Sequence, residues 1–177
     1  MASYELIPFQ RFDEVNIIAA IEQQASLLNV GFWVTDPNGV IEWPAVRQLG
    51  GTADFLWQHT CFELFIGIRD YDEYLEINLS PSQLWQCYGF EEYRYPEIMP
   101  PRKSNGAEIV ELKRTHYGLS ATLDVSQFLA THRVSIHQIF IGICAVLKTT
   151  KGEKFYALQH STPHADFHNK RDWLHQI

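Results

Sequence analysis

The stretch "CFELFIGIRDYDEYLEINLS", Cys61 to Ser80, decides the fold. In its first half Phe62, Leu64, Ile66 and Ile68 alternate with Cys61, Glu63 and Phe65, the period of two that belongs to a strand. After the polar run "RDYDE", Leu75, Ile77 and Leu79 alternate with Glu76, Asn78 and Ser80. Two alternating runs around a polar turn predict an antiparallel hairpin. If both apolar sets face the same side, Phe62 opposes Leu79, Leu64 opposes Ile77, and Glu63 opposes Asn78 on the other face. Directly opposed side chains sit about 4.5–5.5 Å apart at Cβ, close enough to share one ligand hydroxyl. Carrying the same parity outward adds Trp57 and His59 on one side and Glu76 and Ser80 on the other. That face is either a binding face with a Trp, a His, two carboxyls and an amide, or a solvated outer face.

Working outward, "GFWVT", "VIEW", "QLWQCYGF", "AEIVELKR", "YGLSATLDV", "IFIGICAVL" and "KFYALQH" read as further strands, punctuated by "DPNG", "SPS", "MPPRKSNG" and "KG". Many short strands with frequent turns imply an antiparallel sandwich or barrel. Asp13 to Leu28 is ambiguous, since it carries a possible N-cap and good helix formers. "DVSQFLATH", with Asp124 as a candidate N-cap, reads as a short helix or turn between strands.

The 177 residues suit one domain, 1–177, large enough to fold without a staple. Fourteen basic against 21 acidic residues, a formal charge of −7, leave no basic stripe for phosphates, so nucleic acid is not an expected partner. The three cysteines are far apart and in no CxxC pair, which argues against a disulfide framework or a thiolate zinc site. They are expected as small buried residues. No basic and apolar leader is evident and no run of about 18 apolar residues occurs, so the chain is expected to be cytoplasmic with no membrane partner.

Near the end, "LQHSTPHADFH" puts His160, His164, Asp166 and His168 in one short run. In an extended strand these share a face, but His160 and His168 would then lie roughly 26 Å apart, too far for one ion whose ligands sit about 2.1 Å from it. Pro163 opposes a helix that would line them up. No HExxH, GxSxG, GxGxxG or P-loop pattern is present, so neither a zinc hydrolase, a serine triad nor a nucleotide fold is supported. Aromatics make up 14% of the chain, most of them expected in the core, yet Trp57 with Glu63 and Asn78 offers the plate and polar groups that a sugar ring needs.

"LWQHTCFELFIG", "YLEINLSPSQLWQCYGFEEYR" and "YALQHSTPHADFH" together resemble the DOMON-like ligand-binding domains, in particular the branch grouped with the family 9 carbohydrate-binding modules. The likeness runs in order from about residue 56 to 170. It departs from the family pattern at Gln83 and Leu84, where Gly usually follows "SPS", and at Ala165, where Pro is common. The resemblance implies an all-β fold, an antiparallel β-sandwich of jelly-roll type with one short helix or helical turn, and a strand over part of Asn16 to Leu28. It also implies sugars or haem as ligands of different relatives.

The resulting expectation is a non-catalytic domain that binds a carbohydrate or similar polar ring. Its expected ligand-binding residues are Trp57, His59, Glu63, Asn78, Trp85, Arg94, His160, Asp166 and His168, with no metal and no cofactor. Two alternatives are carried with it. One is a haem b carrier that uses Met99 with His160 or His168 as axial ligands. The other is a metal-dependent enzyme built on His59, Glu63, His160 and His168 from separate strands.

Overall fold

The computed structural model describes residues 1–174. The alternating runs form strands: β1 (Ala2–Pro8), β2 (Asn16–Gln24), β3 (Leu27–Thr35), β4 (Gly51–Thr52), β5 (Cys61–Ile68), β6 (Tyr74–Leu79), β7 (Leu84–Phe90), β8 (Glu108–Thr115), β9 (Gly118–Asp124), β10 (Ile139–Thr149) and β11 (Gly152–Ala157). They lie in the order β4-β7-β6-β5-β10-β11-β1-β2-β3-β9-β8. All neighbours are antiparallel except the short β4, which runs parallel to β7 and makes the sheet mixed. The fold is all-β, as the sequence implies.

The expected pair of separate sandwich sheets is replaced by one continuous curled sheet. The hinge is β1, whose Ala2 to Leu6 pair with β2 while Ile7 and Pro8 pair with β11. One strand shared by both halves joins what alternation alone would leave as two sheets. The halves still bury a common core between them. Ile17, Ile21, Leu28 and Phe32 meet Phe62, Leu64, Ile77 and Ile143, and the rings of Phe32 and Phe62 come within 4.5 Å. Burying each such side chain stabilises the fold by roughly 1.5–3 kcal/mol.

The hairpin register is the expected one, with Phe62 opposite Leu79, Glu63 opposite Asn78 and Leu64 opposite Ile77. Asn16 to Gln24 and Leu27 onward are strands, so β-pairing overrides the helical pattern of Asp13 to Leu28. "VIEW" does not form a strand: Ile41 alone bridges to Thr149. The one α-helix among the described residues, α1 (Ser126–His132), starts where Asp124 accepts the Ser126 amide at 2.8 Å. Cys61, Cys87 and Cys144 are free and buried. Among the described residues no helix is long and apolar enough to cross a membrane.

A second, smaller apolar cluster covers the opposite face of β5, β6, β7 and β10, where Phe65, Tyr74, Tyr88, Phe90, Phe140 and Cys144 pack beneath Trp173. All eight residues of β5 are buried as a result. The cover is the chain after β11. Buried Asp172 accepts the Ser161 amide at 3.1 Å and the Asn169 side-chain amide at 3.0 Å, closing residues 161–172 into a compact loop. Trp173 donates its indole N–H to the Phe167 carbonyl at 2.8 Å. The cover is therefore anchored at its base and shaped along its length.

Candidate functional site

Between this covering loop, residues 91–101 and the outward face of β5 and β6 lies a pocket of about 510 Å³, within the roughly 300–1,000 Å³ usual for small-molecule sites. Hairpin parity puts Glu63, Phe65 and Glu76 on its floor. Trp57, Phe90, Phe155 and Phe167 stand around them, and Arg94, Ile98 and Met99 border it from the 91–101 loop. Ile98 and Met99 are exposed, 50% and 72%, so apolar side chains meet solvent at the mouth, beside Glu97.

The floor is acidic and almost dry. Glu63 is 4% exposed and Glu76 6%. Their strand positions are diagonal: Glu63 faces Asn78, two residues beyond Glu76, which sets backbone positions about 7–8 Å apart. Burial, together with the nearby charge of Glu76, pushes the Glu63 carboxyl well above the usual range. Burial likewise carries Glu76 up to about 7, despite the opposing Asn78 hydrogen bond and the charge of Arg94. Asn78 donates to Glu76 Oε1 at 2.8 Å. Among the described residues the Glu63 carboxyl makes no hydrogen bond or ion pair, and it opens into the pocket.

His168 closes one side, with Nε2 3.6 Å from Glu76 Oε2 and Nδ1 2.7 Å from the Tyr74 hydroxyl. That hydroxyl accepts the Arg94 amide at 3.0 Å. Its proton is thus free to go to Nδ1, which puts the imidazole proton on Nε2, facing Glu76. Burial, reinforced by Arg94, lowers His168 to about 3, so it is neutral near pH 7. Desolvation turns both partners toward their uncharged forms, and the contact is a polar one more than an ion pair.

Asp166 ties the two covering segments together. It accepts Arg94 Nη2 and the Tyr93 hydroxyl, each at 2.8 Å. These bonds outweigh burial and keep its carboxyl below the ordinary value. Asp166 thereby neutralises Arg94 and fixes the wall from behind.

Of the residues singled out in the sequence, Trp57, Glu63, Arg94 and His168 line the pocket, while Asn78 and Asp166 support its lining. The other three stand apart. His59 is exposed beside Trp43, Gln58 and Lys148, because the 3-10 turn Leu56–Gln58 ends the strand parity that would have carried it to Glu63. Trp85 opposes Leu79 and packs against the main core, on the other side of the sheet. His160 contacts the Ile7 carbonyl through Nε2 at 2.9 Å and meets Phe9 edge-on. His59, Glu63, His160 and His168 therefore do not converge. Among the described residues no group of three or more His, Cys, Asp or Glu is placed to hold a metal ion.

The expected site residues omit Glu76, Phe65, Phe90, Phe155 and Phe167, all of which line the pocket. Strand parity with Glu63 reaches Phe65, Glu76 and Phe90 directly. The contribution of Phe167 depends on how the chain beyond β11 folds back, which alternation does not encode.

No family model and no curated protein matches the chain, so the family resemblance rests on the motifs alone. Among solved structures, a candidate carbohydrate-binding protein from Bacteroides uniformis is similar, with 13% identity and a TM-score of 0.64. The likeness covers 97% of this chain and 84% of that one. At that identity it is a likeness of fold.

Proposed function

We propose that the protein is a non-catalytic ligand-binding domain whose pocket takes a carbohydrate or a similar polar ring. The observation that carries this reading is an aromatic-walled pocket with two carboxyls and a neutral imidazole at its floor. The Trp57 and Phe167 rings offer surfaces for the apolar face of a ring, while Glu63, Glu76 and His168 offer partners for its hydroxyls. The fold shared with the candidate carbohydrate-binding protein from Bacteroides uniformis supports the same ligand class.

Two carboxyls in one pocket also suggest glycoside hydrolysis, but that chemistry divides its acids into one protonated and one ionised group. Here burial pushes both upward, Glu76 only to about 7, so the state of the recovered sugar is what separates binding from turnover. Isothermal titration against a panel of mono- and oligosaccharides, with chromatography of the recovered sugar, tests the reading. Heat of binding with unchanged sugar is expected; no heat with any sugar sinks it.

One observation favours haem as a second reading, since Met99 and His168 both border this pocket. The axial pair would then be Met99 and His168, as His160 is engaged with the Ile7 carbonyl. His168 Nε2 would be the ligating atom only with the imidazole proton moved to Nδ1 and donated to the Tyr74 hydroxyl, the reverse of the Tyr74-to-Nδ1 donation that puts it on Nε2. Haem titration giving a Soret band that shifts in Met99→Ala supports this reading, and an unchanged free-haem spectrum removes it.

A further inference from the structure

Glu63 is a carboxyl only 4% exposed that opens into the pocket and has no hydrogen-bond or ion-pair partner among the described residues. Such a group is costly unless something in the functional state completes it. Glu76 lies on the same floor, so a single positive charge would relieve two burdens at once: the desolvation of Glu63 and the repulsion between the pair. Among the described residues of the lining no free positive charge is supplied: Arg94 is the one lysine or arginine there, and Asp166 and Tyr93 hold its guanidinium. The lining is of the kind that cations favour, because aromatic rings such as those of Trp57, Phe65, Phe155 and Phe167 carry negative quadrupole potential on their faces. At the mouth Glu97 adds another acid.

We propose that the pocket selects a ligand bearing a protonated amine, seated against Glu63 within this aromatic wall. Combined with the carbohydrate reading, on which this second step rests, the ligand class is an amino sugar. The amine N–H groups donate to Glu63, whose ionised form the cation stabilises. Glu76, already bonded by Asn78, accepts from a neighbouring hydroxyl. His168 Nε2–H donates to the ring substituents.

Titration calorimetry of the intact protein with glucosamine, N-acetylglucosamine and glucose isolates the charge, since the three share a ring and differ at one substituent. Cyclohexylamine supplies the charge without the sugar. Glucosamine is expected to bind on the order of tenfold tighter than either of the other two sugars, with the preference lost in Glu63→Gln. Equal affinity for all three overturns the amine proposal and leaves the carbohydrate reading standing. Binding of cyclohexylamine with no binding of any sugar does the reverse. Binding of none of the four overturns the proposal. The wild-type comparison is decisive even if Glu63→Gln fails to fold.

Discussion

The Tyr74 hydroxyl lies 2.7 Å from His168 Nδ1 and so helps to set which imidazole nitrogen carries the proton that faces the pocket floor. Since the same oxygen accepts the Arg94 amide, one phenol joins β6, the 91–101 loop and the covering segment. Tyr74→Phe should leave His168 Nδ1 and the Arg94 amide without their partner, at a cost of about 1–3 kcal/mol. Imidazole nitrogen NMR should show a single Nε2–H form of His168 in the wild type and a mixture in the variant. A wild-type spectrum dominated by Nδ1–H would refute the arrangement.

The raised carboxyl of Glu76 makes stability depend on pH. An unfolded Glu titrates near 4.5, whereas the folded one titrates near 7. Between those values the folded state holds the extra proton, so stability falls as pH rises through this window, by roughly 1.4 kcal/mol per pH unit from this group. Glu76→Gln removes the dependence while keeping an oxygen for Asn78. Denaturant unfolding should find the variant close to wild type at pH 4.5 and about 3 kcal/mol more stable at pH 8. A pH-independent difference between the two proteins would contradict the buried, neutral carboxyl.

Trp173 packs against Gly142 on β10, where a methyl group would come 2.7 Å from the indole nitrogen. The indole cannot slide aside freely, because that nitrogen holds the Phe167 carbonyl. Gly142→Ala should therefore destabilise the protein by about 1–3 kcal/mol through overpacking. It should also weaken ligand binding, since Phe167 walls the pocket. Thermal unfolding combined with titration checks this, and a variant with wild-type stability would show that the cover adapts without strain.

The hairpin was legible because each strand of "CFELFIGIRDYDEYLEINLS" has one uninterrupted apolar set, and a one-residue slip would have turned Glu63 and Asn78 into the core. The same counting could have placed Trp85 on the core side, two strands from Phe62, had residue type not outweighed register. What the face is for was harder to read. Its neighbours arrive from residues 91–101 and 161–173, and such long-range returns leave no periodic trace. The continuous sheet was hidden for a related reason: β1 divides its pairing between β2 and β11, although its own pattern is that of an ordinary strand. "LQHSTPHADFH" is spread over three environments. His160 is at the β1 edge, Asp166 on Arg94 and His168 on the pocket floor, while His164 is exposed.

That dispersal yields a test of the site itself. Trp57 lines the pocket and its ring meets Tyr88 edge-on at 5.8 Å, so Trp57→Ala removes a wall while leaving the floor intact. His59 and His160 belong to the same sequence motifs but lie outside the pocket. If the pocket is the binding site, Trp57→Ala should weaken ligand binding by at least about tenfold, the loss of roughly 1.4 kcal/mol expected when a stacking surface goes. His59→Ala and His160→Ala should bind as the wild type does. Titration of the three variants with one ligand separates the possibilities: loss of binding in either histidine variant at unchanged thermal stability would move the site away from Glu63 and His168.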